Sequence, residues 1–506
     1  MSNQVSGITT LLFSSLVYYA SYYYKKKDNY SIAILLLMLS GFALRLFASA
    51  DLFLHPWDEV FHALASKHMI QHPLIPTLYE NPILPYDYKN WTGNYIWVHK
   101  QPLPLWIMAL SMSLFGVNEI ALRLPSVILT TIGIWLTFYI GNYFFNKKVG
   151  YLAAFFYSIN GLIIEMTAGR IPTDHIDDFF LVFVELTIFF SIVFSQKKNF
   201  VYNICAGFSL GAAILCKWMP ALIVLPVWLL VLVESKKFTI QSIIIHLVIL
   251  LVITGCVFLP WQIYIYHTFP IEANWEAGYN MKHITQVLDE QGGPVYYYLN
   301  KIRINYGELI YIPLIWFVWI ALKDFGNLKY LSLLIWVLIP TIFFSLIKTK
   351  MQGYILFVCP AIFIISAAFW YTLWDYRNVI QTNEKIEVWK KWFVNLLLLA
   401  LIVLPVRYGI ERVKPFQKDR SPQWVIDLKN MEQRNMEKGI LFNYEKSIDA
   451  MFYTNLIVYP YTADKKTIEN LQQKGYTIII NDDGKAPADI LSMGKVVKLH
   501  LSLPAH

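Results

Sequence analysis

Apolar runs of about 20 residues recur along most of this chain, and no other feature limits its possible folds so severely. A helix of that length crosses the hydrocarbon of a bilayer, where only helices and closed barrels satisfy every backbone N–H and C=O. Of the 506 residues, 57% are hydrophobic and 15% charged, whereas soluble domains carry about a quarter charged residues. Mean hydropathy is +0.45. The chain is predicted to be an all-α polytopic membrane protein.

Lysine clusters punctuate the runs: Lys25–Lys27, Lys147–Lys148, Lys197–Lys198, Lys236–Lys237, Lys323 with Lys329, and Lys385 with Lys390–Lys391. Placed in the cytoplasm, they predict about 12 spans by the length criterion and the positive-inside rule. The predicted spans are 5–24, 30–50, 123–144, 149–168, 177–195, 200–215, 218–233, 240–262, 308–322, 329–346, 354–373 and 392–410. Run 5–24 has its lysines after it rather than before it, the reverse of a signal peptide, and is read as a retained helix. Residues 103–116 are apolar but short, which suits an interfacial or re-entrant helix.

Beyond residue 411 the pattern changes. "GILFNY", "NLIVYPY", "YTIIIND" and "KVVKLHL" read as short strands, and "TADKKTIENLQQKGY" as a helix capped by Thr462 or Asp464. The expected organisation is an extra N-terminal membrane helix (1–29), a transmembrane domain (30–410) and a small α/β extracytoplasmic domain (411–506). The net charge of +8 reflects cytoplasmic lysines and implies no nucleic-acid partner. Cys205, Cys216, Cys256 and Cys359 lie in apolar runs without CxxC spacing and read as small core residues. No nucleotide-binding or Ser-His-Asp signature is present.

This threading gathers polar residues from distant segments on one membrane face. Asp58 and Glu59 follow a span in "HPWDEVFHAL". Carboxylates cost several kcal/mol in hydrocarbon, so they belong at the interface or in a wet cavity, as a general base or as acids favoured at a helix N-terminus. "GRIPTDHIDDFF" places Asp174, Asp177 and Asp178 on one helix face, with Thr173 as a potential cap. Lys100, Arg170, Lys217, Lys348 and Lys350 fall on the same side. Singly each is explained by snorkelling; together, beside acids, they suggest a phosphate site near the headgroups. His99 and Glu290 are candidate metal ligands.

Several motifs resemble a known family. "WDE", "HKQPLPLWIMALSMSLFGVNEIALRLPS", "GRIPTD", "LCKWMPAL", "GGPVYYYL" and "KTKMQGYILFVCPA" occur in the order seen in the GT-C glycosyltransferases. They are most similar to those of the bacterial aminoarabinose lipid A transferases and protein-O-mannosyltransferases. The resemblance covers roughly residues 30–370. It implies that Asp58 is the catalytic acid of the first outer loop and Asp174 the second, with Glu59 in support. It also implies that Lys100 lies near the donor phosphate, and Lys348, Lys350 and Tyr354 beside the lipid-carrier pocket. Where aminoarabinose transferases bind zinc through a glutamate and a histidine, this chain has His99 and Gln291, with Glu290 adjacent; Phe61 replaces a frequent arginine.

The expectation is an inverting glycosyltransferase in the bacterial inner membrane, with its site facing the periplasm. It would move a sugar from a polyprenyl-phosphate donor to a lipid A-like glycolipid, a glycan or a protein. A lipid-linked sugar transporter or flippase is the alternative, although transporter sites lie near the midplane.

Overall fold

A computed structural model describes residues 2–380, 385–432, 438–484 and 486–503. The chain forms two compact units, one of Met1–Ser49, Lys100–Pro104 and Arg123–Gln417, the other of Ala50–His99, Leu105–Leu122 and Lys418–His506.

The first unit is a bundle of membrane helices. Eight helices of the described chain are long and apolar enough to cross a bilayer, or up to ten if two bent pairs each count as one span. The two remaining expected spans are also helical, at Asn3–Lys26 and Met219–Glu234. The first is enriched in Ser, Thr and Tyr, and the second is short and begins as a 3-10 turn, so neither meets the same standard. Short polar side chains start helices at the lysine-bearing turns, where they satisfy amide donors that have no partner within the helix. Asn146 accepts from Lys148 and Val149 N–H at 3.0 and 3.1 Å, Asn199 from Val201 at 3.0 Å, and Thr239 from Ser242 at 3.2 Å.

Helix Asp174–Lys197 is largely enclosed by the unit, with 78% of its apolar stretch buried, against 17% for Ile240–Thr268. The latter presents most of its surface outwards. Gly207 and Gly211 of helix Phe200–Lys217 let the two helices approach closely: a Cβ at Gly207 would meet Leu250 O at 2.8 Å. Two spans break. Asn160 interrupts 147–167 with a 49° bend, and its side chain bonds Ile163 N–H (3.1 Å) and Asn305 O (2.8 Å). Gly307, at φ +98°, turns Tyr297–Tyr306 into Glu308–Lys323 through 119°.

Arg45 is fully buried in this bundle. Its guanidinium donates to Thr130 Oγ1 (3.0 Å) and to the carbonyls of Gly41 (3.1 Å), Ser158 (2.9 Å) and Tyr157 (3.2 Å). A buried charge persists only with such partners, and these bonds tie three spans together.

The second unit contains the α/β segment expected near the C-terminus. Strands β1 (Gly439–Phe442), β2 (Ile457–Val458), β3 (Thr477–Asn481) and β4 (Val496–Leu499) form a parallel sheet in the order β2-β1-β3-β4. Parallel pairing requires crossovers, and helices Ser447–Tyr453, Lys465–Gln473 and Ala488–Leu491 lie in them. Asp464 caps the second by accepting Thr467 N–H at 2.9 Å. The apolar residues of β1 and β3 are buried.

Candidate active site

In the second unit, helix Asp58–Met69 begins without a side-chain cap, directly after Trp57 at φ +77°. A bulky residue in the left-handed region is strained and is held there only by its surroundings. Asp58 is 6% exposed and Glu59 fully buried. Glu59 accepts from the His55 backbone N–H at 2.6 Å and faces His55 Nδ1 at 2.9 Å. Asp51 Oδ2 faces the other ring nitrogen at 3.2 Å. An imidazole between two carboxylates satisfies both when it donates from both nitrogens. Glu59 is thereby committed to closing the 55–59 turn.

Phe61, one turn after Asp58, packs against Trp91 (5.0 Å between centroids) and Trp97 (6.4 Å). His99 lies flat on Trp91, 4.6 Å away at an interplanar angle of 7°. Among the described residues, no group of three or more His, Cys, Asp and Glu side chains is placed to hold a metal ion. His99 is engaged in stacking, and Glu290 is exposed on a turn at φ +59°.

In the first unit, the candidate residues gather around the start of helix Asp174–Lys197. Thr173 (φ +73°) and Asp174 (φ +26°) form a strained entry, and Asp174 is 1% exposed. The Thr173 hydroxyl donates to Asp177, which also pairs with the Lys217 ammonium. Lys217 sits 4.5 Å from the centre of the Tyr354 ring, a cation–π distance. Trp218, which follows Lys217, is again left-handed at φ +63°. A Cβ on Gly353 would collide with Asp177 and Met166 and approach Thr173 Oγ1 to 2.6 Å, so only glycine lets Gln352–Val358 lie against this acid.

Two loops meet at the lysines that follow helix Leu328–Leu346. Lys348, Thr349 and Lys350 donate backbone N–H groups to Ile284 (3.2 Å), His283 (3.0 Å) and Gln291 (2.9 Å). The Thr349 hydroxyl donates to Gln286 O (2.8 Å) and accepts from Leu288 N–H (3.1 Å). Lys348 is exposed, whereas the Lys350 ammonium turns back to Ile347 O. Burial, reinforced by the Lys348 charge, holds Lys350 below the ordinary lysine range. Lys100 is half-buried. Arg170 spends two bonds on main-chain carbonyls, those of Arg412 (2.9 Å) and Ala48 (2.7 Å).

Three polar residues here had no signal in the sequence pattern: His55, Arg45, and His175, which bonds Ser126 Oγ through Nδ1 at 2.9 Å. The left-handed residues beside Asp58, Asp174 and Lys217 are also visible only in the fold.

Residues 99–264 match the model of the dolichyl-phosphate-mannose-protein mannosyltransferase family. An undecaprenyl phosphate-α-4-amino-4-deoxy-L-arabinose arabinosyl transferase of Pseudomonas savastanoi is 24% identical over 288 residues, 52% of this chain and 51% of that one. The match thus spans about half the length of that relative. ArnT from Cupriavidus metallidurans, solved with undecaprenyl phosphate bound, superposes with a TM-score of 0.61 at 15% identity. That superposition covers 87% of this chain and 88% of ArnT. The fold is that of the GT-C glycosyltransferases. The archaeal oligosaccharyltransferase AglB of Archaeoglobus fulgidus, solved with an inhibitory peptide and a dolichol-phosphate, shares it more distantly. Its TM-score is 0.51 at 14% identity, over 86% of this chain and 68% of AglB.

Proposed function

We propose that the protein is an inverting membrane glycosyltransferase that uses a polyprenyl-phosphate sugar. The acceptor is a hydroxyl of a lipid A-like glycolipid, a glycan or a protein at the outer face of the bacterial cytoplasmic membrane. The observation that carries this reading is a nearly buried Asp58 on a strained turn, in a fold whose relative ArnT was solved with undecaprenyl phosphate.

Asp58 takes the proton of the acceptor hydroxyl as its oxygen attacks the anomeric carbon. The bond from that carbon to the donor phosphate oxygen breaks, and the lipid monophosphate leaves with the electron pair. Lys100, Lys348 and Lys350 supply positive charge to the departing phosphate, more strongly as its charge develops. Lys217, held by Asp177 and Tyr354, keeps the cationic region in place, and Tyr354 lines the carrier pocket. Arg170 fastens the turn before Asp174 to two carbonyls, and Asp174 orients the sugar or acceptor. Glu59 supports Asp58 by closing the turn that presents it.

A transporter reading would draw on Asp178 and Glu185, acids inside the bundle. Glu185 is tied to Thr137 at 2.6 Å. Purified protein in detergent, given a polyprenyl-phosphate sugar pool and envelope acceptors, should release lipid phosphate and form a glycoside. Activity confined to sealed vesicles, as movement of intact donor, would replace this proposal with the transporter.

A further inference from the structure

The second unit brings the C-terminal α/β segment against both ends of the structure that carries Asp58. On the N-terminal side, the chain leading into the strained Trp57 turn is fastened twice. Arg420 is 3% exposed, and its Nε lies 3.3 Å from Asp51 Oδ1 in a buried ion pair. Its carbonyl accepts the Leu52 N–H at 2.8 Å. Two residues later, the Tyr453 hydroxyl accepts the Leu54 N–H at 3.0 Å and donates to Glu119 at 2.9 Å. Glu119 is in turn held by Lys429 at 2.9 Å.

The other end of helix Asp58–Met69 is fastened by Lys67. Its ammonium donates to the carbonyls of Met451 (2.8 Å), Phe452 (3.1 Å) and Thr454 (2.8 Å). These lie at the C-terminus of helix Ser447–Tyr453, where carbonyls lack helical partners and the dipole attracts a cation. An ammonium has three donors, and each finds an acceptor here. Burial nevertheless pulls Lys67 down to about 8, so this contact was made at a desolvation cost.

We propose that the C-terminal α/β segment is a positioning device for Asp58, acting through Arg420, Tyr453 and Lys67. The inference rests on the reading of Asp58 as general base. A left-handed tryptophan must be held by its surroundings, and a base misplaced by about 1 Å loses on the order of 10²-fold in rate. The latches bracket Asp58 on both sides and contribute no group to the chemistry. They should therefore govern turnover rather than donor affinity.

The test uses the full-length protein in detergent with Tyr453→Phe, Arg420→Gln and Lys67→Met, beside the conservative Arg420→Lys and Lys67→Arg. Hydrogen exchange is read for the peptides covering residues 51–58 and 59–69, together with kcat and donor KM. The expected result is faster exchange confined to 51–58 for Tyr453→Phe and Arg420→Gln and to 59–69 for Lys67→Met, with a kcat lower by about 10- to 100-fold and KM unchanged in all three. The conservative variants should recover part of both losses. Unchanged exchange at 51–58 in Tyr453→Phe and Arg420→Gln, or at 59–69 in Lys67→Met, would overturn the proposal. So would exchange that rises throughout residues 418–503 with no selective loss of kcat, because that marks a merely structural segment. If the wild-type protein transfers no sugar, the glycosyltransferase reading fails, and the exchange data alone still decide whether the latches hold the turn.

Discussion

Lys217 is the residue for which the structure makes the sharpest demand. Asp177 is 1% exposed, and its partners are the Lys217 ammonium and the Thr173 hydroxyl. Lys217→Met keeps the aliphatic stem and removes the charge, leaving a buried carboxylate with the hydroxyl. Removing one member of a buried ion pair costs about 3–5 kcal/mol. The Lys217 side chain is 16% exposed and Thr173 remains, which places the loss near the lower end, at about 3 kcal/mol. The assay is thermal unfolding of purified protein in detergent, for Lys217→Met, Asp177→Asn and the double variant. Lys217→Met should melt several degrees lower, and the double variant should recover most of the loss because no unpaired charge remains. A single variant that melts like wild type but cannot turn over donor would refute the assignment. Lys217 would then act on the phosphate rather than on Asp177.

Neutralising Lys100 or Lys350 to Gln should lower turnover by about 10²–10³-fold with a smaller effect on donor affinity, as expected for charge that acts in the transition state. Lys147→Gln and Lys197→Gln serve as controls; equal, small effects at all four positions would count against a phosphate site. Asp449, buried beside helix Asp58–Met69, has its carboxyl pushed up to about 7, chiefly by burial. Its folded-state value lies above the unfolded one, so its contribution to stability is complete at low pH and is lost as pH rises towards 7. Asp449→Asn should therefore stabilise the protein above pH 7, by roughly 4 kcal/mol at most, and flatten the pH dependence of unfolding between about pH 4 and 7. An unaltered pH profile in this variant would exclude that role.

What was legible in the sequence follows the range of the forces involved. Span length is a local property, and the helices starting after Asn146, Asn199 and Thr239 begin where short polar caps meet apolar runs. The strands were legible from β-branched runs such as Ile478–Ile480, and the Asp464 cap from its place before a helical pattern. The break at Asn160 was not: it stands inside the predicted span 149–168, in an otherwise continuous pattern, and whether it bends the helix depends on partners such as Asn305. In the candidate site, the charge pattern drew attention to Asp58, Asp174 and the lysines, and the resemblance gave them roles; among the described residues no group of three or more His, Cys, Asp and Glu side chains is placed to hold a metal ion. The partners that define the Asp58 turn were illegible because they are distant. Arg420 and Tyr453 lie more than 360 residues beyond the backbone they hold. His55 has no signature apart from carboxylates four residues away on either side.

The central claim is that Asp58 removes the acceptor proton in transfer from a polyprenyl-phosphate sugar. The direct measurement is single-turnover sugar transfer by Asp58→Asn, with donor binding measured on the same preparation and Glu59→Gln in parallel. A carboxamide is nearly isosteric but cannot take the proton, so Asp58→Asn should lose about 10²–10⁴-fold in rate while binding donor as wild type does. Glu59→Gln should lose less, because Glu59 closes the turn and receives no substrate proton. Near-normal single-turnover transfer by Asp58→Asn would contradict the account and require another base.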